Sequence, residues 1–134
     1  MSWEVGATFD RTSFAPAQAR RFVRRSLSDW GLSELSERVL LVLSEVITNA
    51  VIHGYGRVSL TLSTTDDRVR VTVADDGGGV PVIRRPDPEH GIAGGWGLHL
   101  VDTLADDWGT ETRNHRTTVW FERWRPAGLD RPDT

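Results

Sequence analysis

The stretch Val39-Leu40-Leu41-Val42-Leu43-Ser44-Glu45-Val46-Ile47-Thr48-Asn49-Ala50-Val51-Ile52-His53-Gly54 decides how this chain is read. Its apolar residues Val39, Val42, Leu43, Val46, Ile47, Ala50 and Val51 recur with the period of an α-helix. The spacing predicts a helix over about 34–53, with Ser33 as its N-cap and Gly54 and Gly56 as its stop. Glu45, Asn49 and His53 stand at i, i+4 and i+8, along one stripe of that helix. A carboxylate and an amide set in an otherwise apolar helix face either solvent or a polar cavity. From these residues alone, a solvated stripe and a metal–phosphate site stand level. In the second reading Asn49 offers its side-chain oxygen to Mg²⁺, a hard cation that takes few protein ligands beside phosphate and water. Glu45, one turn away, accepts a proton from an attacking hydroxyl or water.

Working outward, residues 2–10 alternate through Trp3, Val5, Ala7 and Phe9 and read as a strand. Pro16 suits the first turn of a helix running to about Trp30, which Gly31 ends. After the central helix, Val58-Ser59-Leu60-Thr61-Leu62 and Val69-Arg70-Val71-Thr72-Val73 alternate about a Thr-Thr-Asp-Asp turn, a β-hairpin. About 18 residues follow, Gly77 to Gly94, rich in Gly and Pro; loops of this length inside compact domains are often functional. A helix from about Trp96 to Ala105 and strands over about 108–113 and 117–124 complete the pattern. The order β-α-α-β-β-loop-α-β-β predicts an α+β, two-layer sandwich. Its mixed, mostly antiparallel sheet is covered on one face by three helices. Residues 1–124 form the expected domain, and 125–134 a flexible tail.

Composition narrows the chemistry. The 134 residues are 38% hydrophobic and 26% charged, the profile of one globular domain. With no cysteine, disulfides, Cys-ligated zinc and a cysteine nucleophile are excluded. No apolar run approaches the roughly 20 residues of a membrane span, and Met1-Ser2-Trp3-Glu4 does not open a signal peptide. A cytoplasmic protein without a membrane partner is expected. The net charge of −3 argues against general nucleic-acid binding. His53, His90, His99 and His115 lack ligand spacing. Arg20, Arg21, Arg24 and Arg25 give the first helix a basic face, read as solvated or as docking for an acidic partner.

Two further segments bear on the site. Val73-Ala74-Asp75-Asp76-Gly77-Gly78-Gly79 ends a strand with a carboxylate, and the following glycines let backbone approach a flat ligand. Asp75 can accept the exocyclic amino group of adenine; alone, the segment reads more readily as a polar turn after an edge strand. Gly91-Ile92-Ala93-Gly94-Gly95-Trp96-Gly97-Leu98 opens a helix with glycines, and a helix N-terminus attracts phosphate. It matches neither the dinucleotide fingerprint nor a P-loop, since the chain has no lysine.

In this order and at these separations the segments resemble the GHKL ATPase superfamily, and within it the small anti-sigma-factor serine kinases of bacteria. Glu45-x-x-x-Asn49-Ala50-Val51-Ile52-His53-Gly54-Tyr55 is similar to the N box, Asp75-x-Gly77-x-Gly79 to the first Gly-rich box, and Gly95-x-Gly97-Leu98 to the second. Thr117-Thr118-Val119-Trp120 resembles the final strand, whose Thr supports the adenine-binding Asp. The resemblance implies a Bergerat fold and ATP and Mg²⁺ as cofactors. It implies Asn49 on the metal and Glu45 as the base. His53, Asp75, Gly77, Gly79, Gly95, Gly97, Leu98 and Thr118 complete the ATP site, with residues 80–94 as a lid. The partners it implies are a sigma factor and an anti-anti-sigma protein of the STAS type, phosphorylated on Ser or Thr, with the protein itself a homodimer.

One departure stands out. Many such kinases place an arginine in or just before the second Gly-rich box, where it would neutralise transition-state charge. Ala93 and Trp96 stand there in this chain, with Arg84, Arg85 and His90 nearby. The alternative function is therefore an ATP-sensing, partner-switching binding protein without kinase activity.

Overall fold

The computed structural model describes residues 2–76, 101–114 and 116–125. Strand β1 (Trp3–Phe9) leads into helix α1 (Ala15–Asp29), a 3₁₀ turn (Ser33–Leu35) and helix α2 (Ser36–His53). Strands β2 (Val58–Thr64), β3 (Arg68–Asp75), β4 (Asp107–Arg113) and β5 (Arg116–Trp124) follow, and residues 101–104 are helical. The sheet order is β1-β2-β3-β5-β4, and every pair in it is antiparallel. The structure is thus the antiparallel limit of the mostly antiparallel sheet expected.

The sandwich follows from two periodicities. Strand β2 alternates strictly between buried and half-buried residues, so Val58, Leu60 and Leu62 line one face, beside Val69, Val71 and Val73 of β3 and Val119 and Phe121 of β5. Against that face α2 presents Val39, Val42, Leu43, Val46 and Ile47, and α1 presents Ala15, Ala19, Val23 and Leu27 at four-residue intervals. Helix α2 packs against both α1 and the sheet. Each large aliphatic side chain buried there contributes about 1.5–3 kcal/mol. Among the described residues no helix is long and apolar enough to cross a membrane.

The helix boundaries show local chemistry deciding. Pro16 sits in the first turn of α1. At the other end the N–H of Leu32 donates to Leu27 O (2.7 Å) and that of Gly31 to Ser28 O (3.0 Å). These are the two bonds of a Schellman motif, with Gly31 at φ 73°. Ser33 is not the N-cap of the following helix. It opens the 3₁₀ turn, and α2 begins three residues later with no side-chain cap. Leu32 and Leu35 are both buried, and the N–H of Leu35 reaches Leu32 O at 2.9 Å. Seating both leucines tightens the chain into a 3₁₀ turn and leaves Ser33 exposed.

The helix-free face of the sheet is polar. There Glu122, 5% exposed, pairs with Arg68 (3.0 Å) and Arg70 (3.6 Å). The Arg70 guanidinium also lies 4.1 Å from the centre of the Trp120 ring, an attraction of roughly 0.5–1 kcal/mol at a partly exposed site. Trp3 stacks on Trp30 with ring centres 5.9 Å apart.

Candidate functional site

The central feature is Asp75, the last residue of β3 and only 7% exposed. Strand alternation turns it to the same face as Val71 and Val73, the face that carries the helices. Across the ladder its partner is Thr117, also buried. Thr118 was expected in the ATP site, and the register sets it apart from Asp75. Thr118 stands opposite Ala74, so its side chain belongs to the other face, shared with Thr72 and Trp120. A one-residue step along a strand exchanges faces, and the Thr117-Thr118 pair gives no internal sign of which residue points inward.

Helix α2 brings its stripe to this strand end. The helix ends at His53, where the Gly54 N–H donates to Ala50 O at 2.9 Å. Gly54 lies against the Asp75 carboxylate: a Cβ built on it would come within 2.8 Å of Cγ and Oδ2. At 1.5 Å per residue, Asn49 sits about 7.5 Å and Glu45 about 13.5 Å back along the helix from that contact. Both are half-buried, and His53 is exposed. The Arg11 guanidinium donates to Val51 O at 2.9 Å from the β1–α1 connection, a cation on the negative end of the helix.

The loop from α2 to β2 is fastened to the same strand end. Tyr55 N–H donates to Asp75 Oδ1 at 3.5 Å, and Asp76 N–H donates to Tyr55 O at 2.9 Å. The Asp76 carboxylate is 3.5 Å from Arg116. Sequence reasoning treated Gly54 as a helix stop and, with Tyr55, as the end of the N-box match, and gave neither a contact with Asp75. Its signal was the glycine following a helix that already had a polar stripe, and the contact it serves is non-local. On the far side, Trp108 Nε1–H donates to Asp102 (2.9 Å) and the Arg123 guanidinium to Leu104 O (2.9 Å). These bonds join the helical residues 101–104 to β4 and β5. Gly77, Gly79, Gly95, Gly97 and Leu98 lie outside the described residues, as do the 80–94 segment, Arg84, Arg85, His90, Trp96, His99, His115 and the tail beyond Arg125.

The structure therefore sets the C-terminal end of α2 against Asp75, with His53 at that end, Asn49 more than a turn back and Glu45 near the middle of the helix. The donor set suits a nucleotide with a hard cation: an amide oxygen and a carboxylate one helical turn apart, and a separate buried carboxylate at the strand end. Fold and site together define a class, the Bergerat-type ATP-binding domain. The model of the histidine kinase-like ATPase domain matches residues 12–123, and the chain belongs to that family. It is 31% identical to the anti-sigma F factor of Geobacillus kaustophilus over 92% of this chain and 90% of the relative. To the anti-sigma F factor of Bacillus subtilis it is 29% identical over 80% and 79%. Among solved structures, it is similar to the crystal structure of the RsbU and RsbW domains of Rv1364c from Mycobacterium tuberculosis (TM-score 0.62). That likeness is one of fold, at 23% identity, and covers 93% of this chain and 34% of the longer one.

Proposed function

We infer that this protein is an ATP-binding anti-sigma regulatory factor that phosphorylates a serine or threonine of an anti-anti-sigma partner of the STAS type. The observation that carries the reading is the buried Asp75 carboxylate, paired in register with Thr117 and set beside the end of the Glu45–Asn49 helix. Its likeness to anti-sigma F factors over nearly the whole chain supports the regulatory role.

A carboxylate only accepts hydrogen bonds, so Asp75 takes the exocyclic amine of adenine and repels the keto oxygen of guanine. Asn49 would hold Mg²⁺ through its side-chain oxygen, and the ion would supply positive charge to the phosphates. His53, at the exposed end of the helix, lies on the stripe that runs toward them. Glu45 takes the proton from the partner's hydroxyl as that oxygen bonds to the γ-phosphorus, while the bond from phosphorus to the β–γ bridging oxygen breaks and ADP leaves. The protein works in the cytoplasm as a homodimer built on residues 1–124, and it also binds the sigma factor.

The test is phosphate transfer from γ-labelled ATP to a STAS-type partner, together with calorimetry on Asp75→Asn. The substitution sets an amide donor against the adenine amine and costs roughly 1–3 kcal/mol of ATP affinity. Equal ATP affinity in the variant refutes the site. Ala93 and Trp96, in place of the arginine of many relatives, favour a second reading, a partner switch driven by ATP binding alone. Tight ATP binding without transfer to any partner selects it.

A further inference from the structure

We propose that the connection between α2 and β2, residues 54–56, is a main-chain clip that orients the Asp75 carboxylate and thereby sets base selectivity. The proposal rests on the adenine-recognising role given to Asp75 above. Two contacts define the clip. Tyr55 grips the strand end on both sides, its N–H donating to Asp75 Oδ1 at 3.5 Å and its carbonyl accepting the Asp76 N–H at 2.9 Å. Gly54 forms the wall: a Cβ there would come within 2.8 Å of both Cγ and Oδ2 of Asp75 and would also strike Ala50 O.

The two contacts differ in kind. At 3.5 Å the Tyr55 hydrogen bond is long and weak, so the close approach of the Gly54 backbone, which leaves no room for a side chain beside the carboxylate, is the second part of the clip. Gly54 has φ −89° and ψ −175°, extended backbone that any residue adopts, so the position needs glycine for space and not for conformation. Gly56 differs, with φ 67°; it turns the chain away beside the Asp76 side chain. The Tyr55 side chain is 65% exposed and takes no part in the clip. A hydrogen bond at Oδ1 and close packing at Oδ2 favour one orientation of the carboxylate. In that orientation the carboxylate accepts from an exocyclic amine at a good angle; turned away it would lose that bond, while a keto oxygen gains nothing in either orientation.

Two measurements on the full chain test this. The first uses no nucleotide: amide hydrogen exchange of Tyr55 in the wild type and in Asp75→Ala. The clip predicts exchange about two- to fivefold faster in the variant, the kinetic counterpart of one weak hydrogen bond lost. Equal rates overturn it. The second compares binding of Mg·ATP and Mg·ITP, which differ at the exocyclic amine. Gly54→Ala should lower the ATP-to-ITP affinity ratio by about tenfold or more, whereas Tyr55→Ala keeps the wild-type ratio. A folded Gly54→Ala protein with the wild-type ratio overturns the proposal, as does a Tyr55→Ala protein that loses it. Should Gly54→Ala fail to fold, the exchange comparison decides. A wild type that binds ATP and ITP alike refutes the adenine reading itself, and the exchange rates then still report whether the clip exists.

Discussion

Glu45 and Asp75 carry the same functional group in different surroundings. Asp75 is buried at a strand end, packed against Gly54 and faced by Thr117, and its proposed role is to recognise the base. Glu45 is half-buried on a helix, one turn from Asn49, and is the proposed base. Their substitutions should separate accordingly. Glu45→Ala is expected to bind ATP as the wild type does and to transfer phosphate about 10²–10⁴-fold more slowly, read by titration and a phosphotransfer time course. A variant that transfers at the wild-type rate removes Glu45 from the chemistry. The stripe of Glu45, Asn49 and His53 was legible from spacing alone, because helical period is a local property. The choice between Thr117 and Thr118 was not, because it depends on pairing with β3 about forty residues earlier.

The ends of the helices repeat that division. Pro16 and Gly31 punctuate α1 through their own backbone preferences, and both were readable. The start of α2 was misplaced because Ser33 is a good cap by type, yet Leu32 and Leu35 are both buried and take the chain through a 3₁₀ turn first. Burial of two leucines outweighs one capping bond worth about 1 kcal/mol. Gly31 makes the corner possible. With φ at 73°, Gly31→Ala should destabilise the fold by about 1–2 kcal/mol, measured as a lower urea midpoint with an unchanged slope. No atom lies within 4 Å of a Cβ placed there, so the loss is one of backbone conformation alone. An unchanged midpoint would show that the corner tolerates alanine.

At the scale of the whole molecule, five strands and two layers could be read from the pattern, but the strand order could not. The final hairpin turns back so that β5, not β4, lies beside β3. This insertion sets Thr117 opposite Asp75 and makes the centre of the sheet out of strands far apart in the chain. It also means that the connection from Asp76 to Asp106 is a long closure whose two ends are already held by other bonds. The β3–β5 ladder holds one end, and the ties of Asp106 to Glu122 and Trp124 hold the other. Closure entropy grows only with the logarithm of length, about 0.6 kcal/mol for each doubling. A flexible Gly/Ser insert between Pro86 and Asp87 that doubles the connection should therefore cost about that much in urea unfolding. A loss of several kcal/mol would show the connection to be part of the framework. The β3–β5 ladder thus fixes the place of Asp75 independently of the length of the segment that follows it. Under the proposed function, that segment can change in length without moving the carboxylate proposed to read the base.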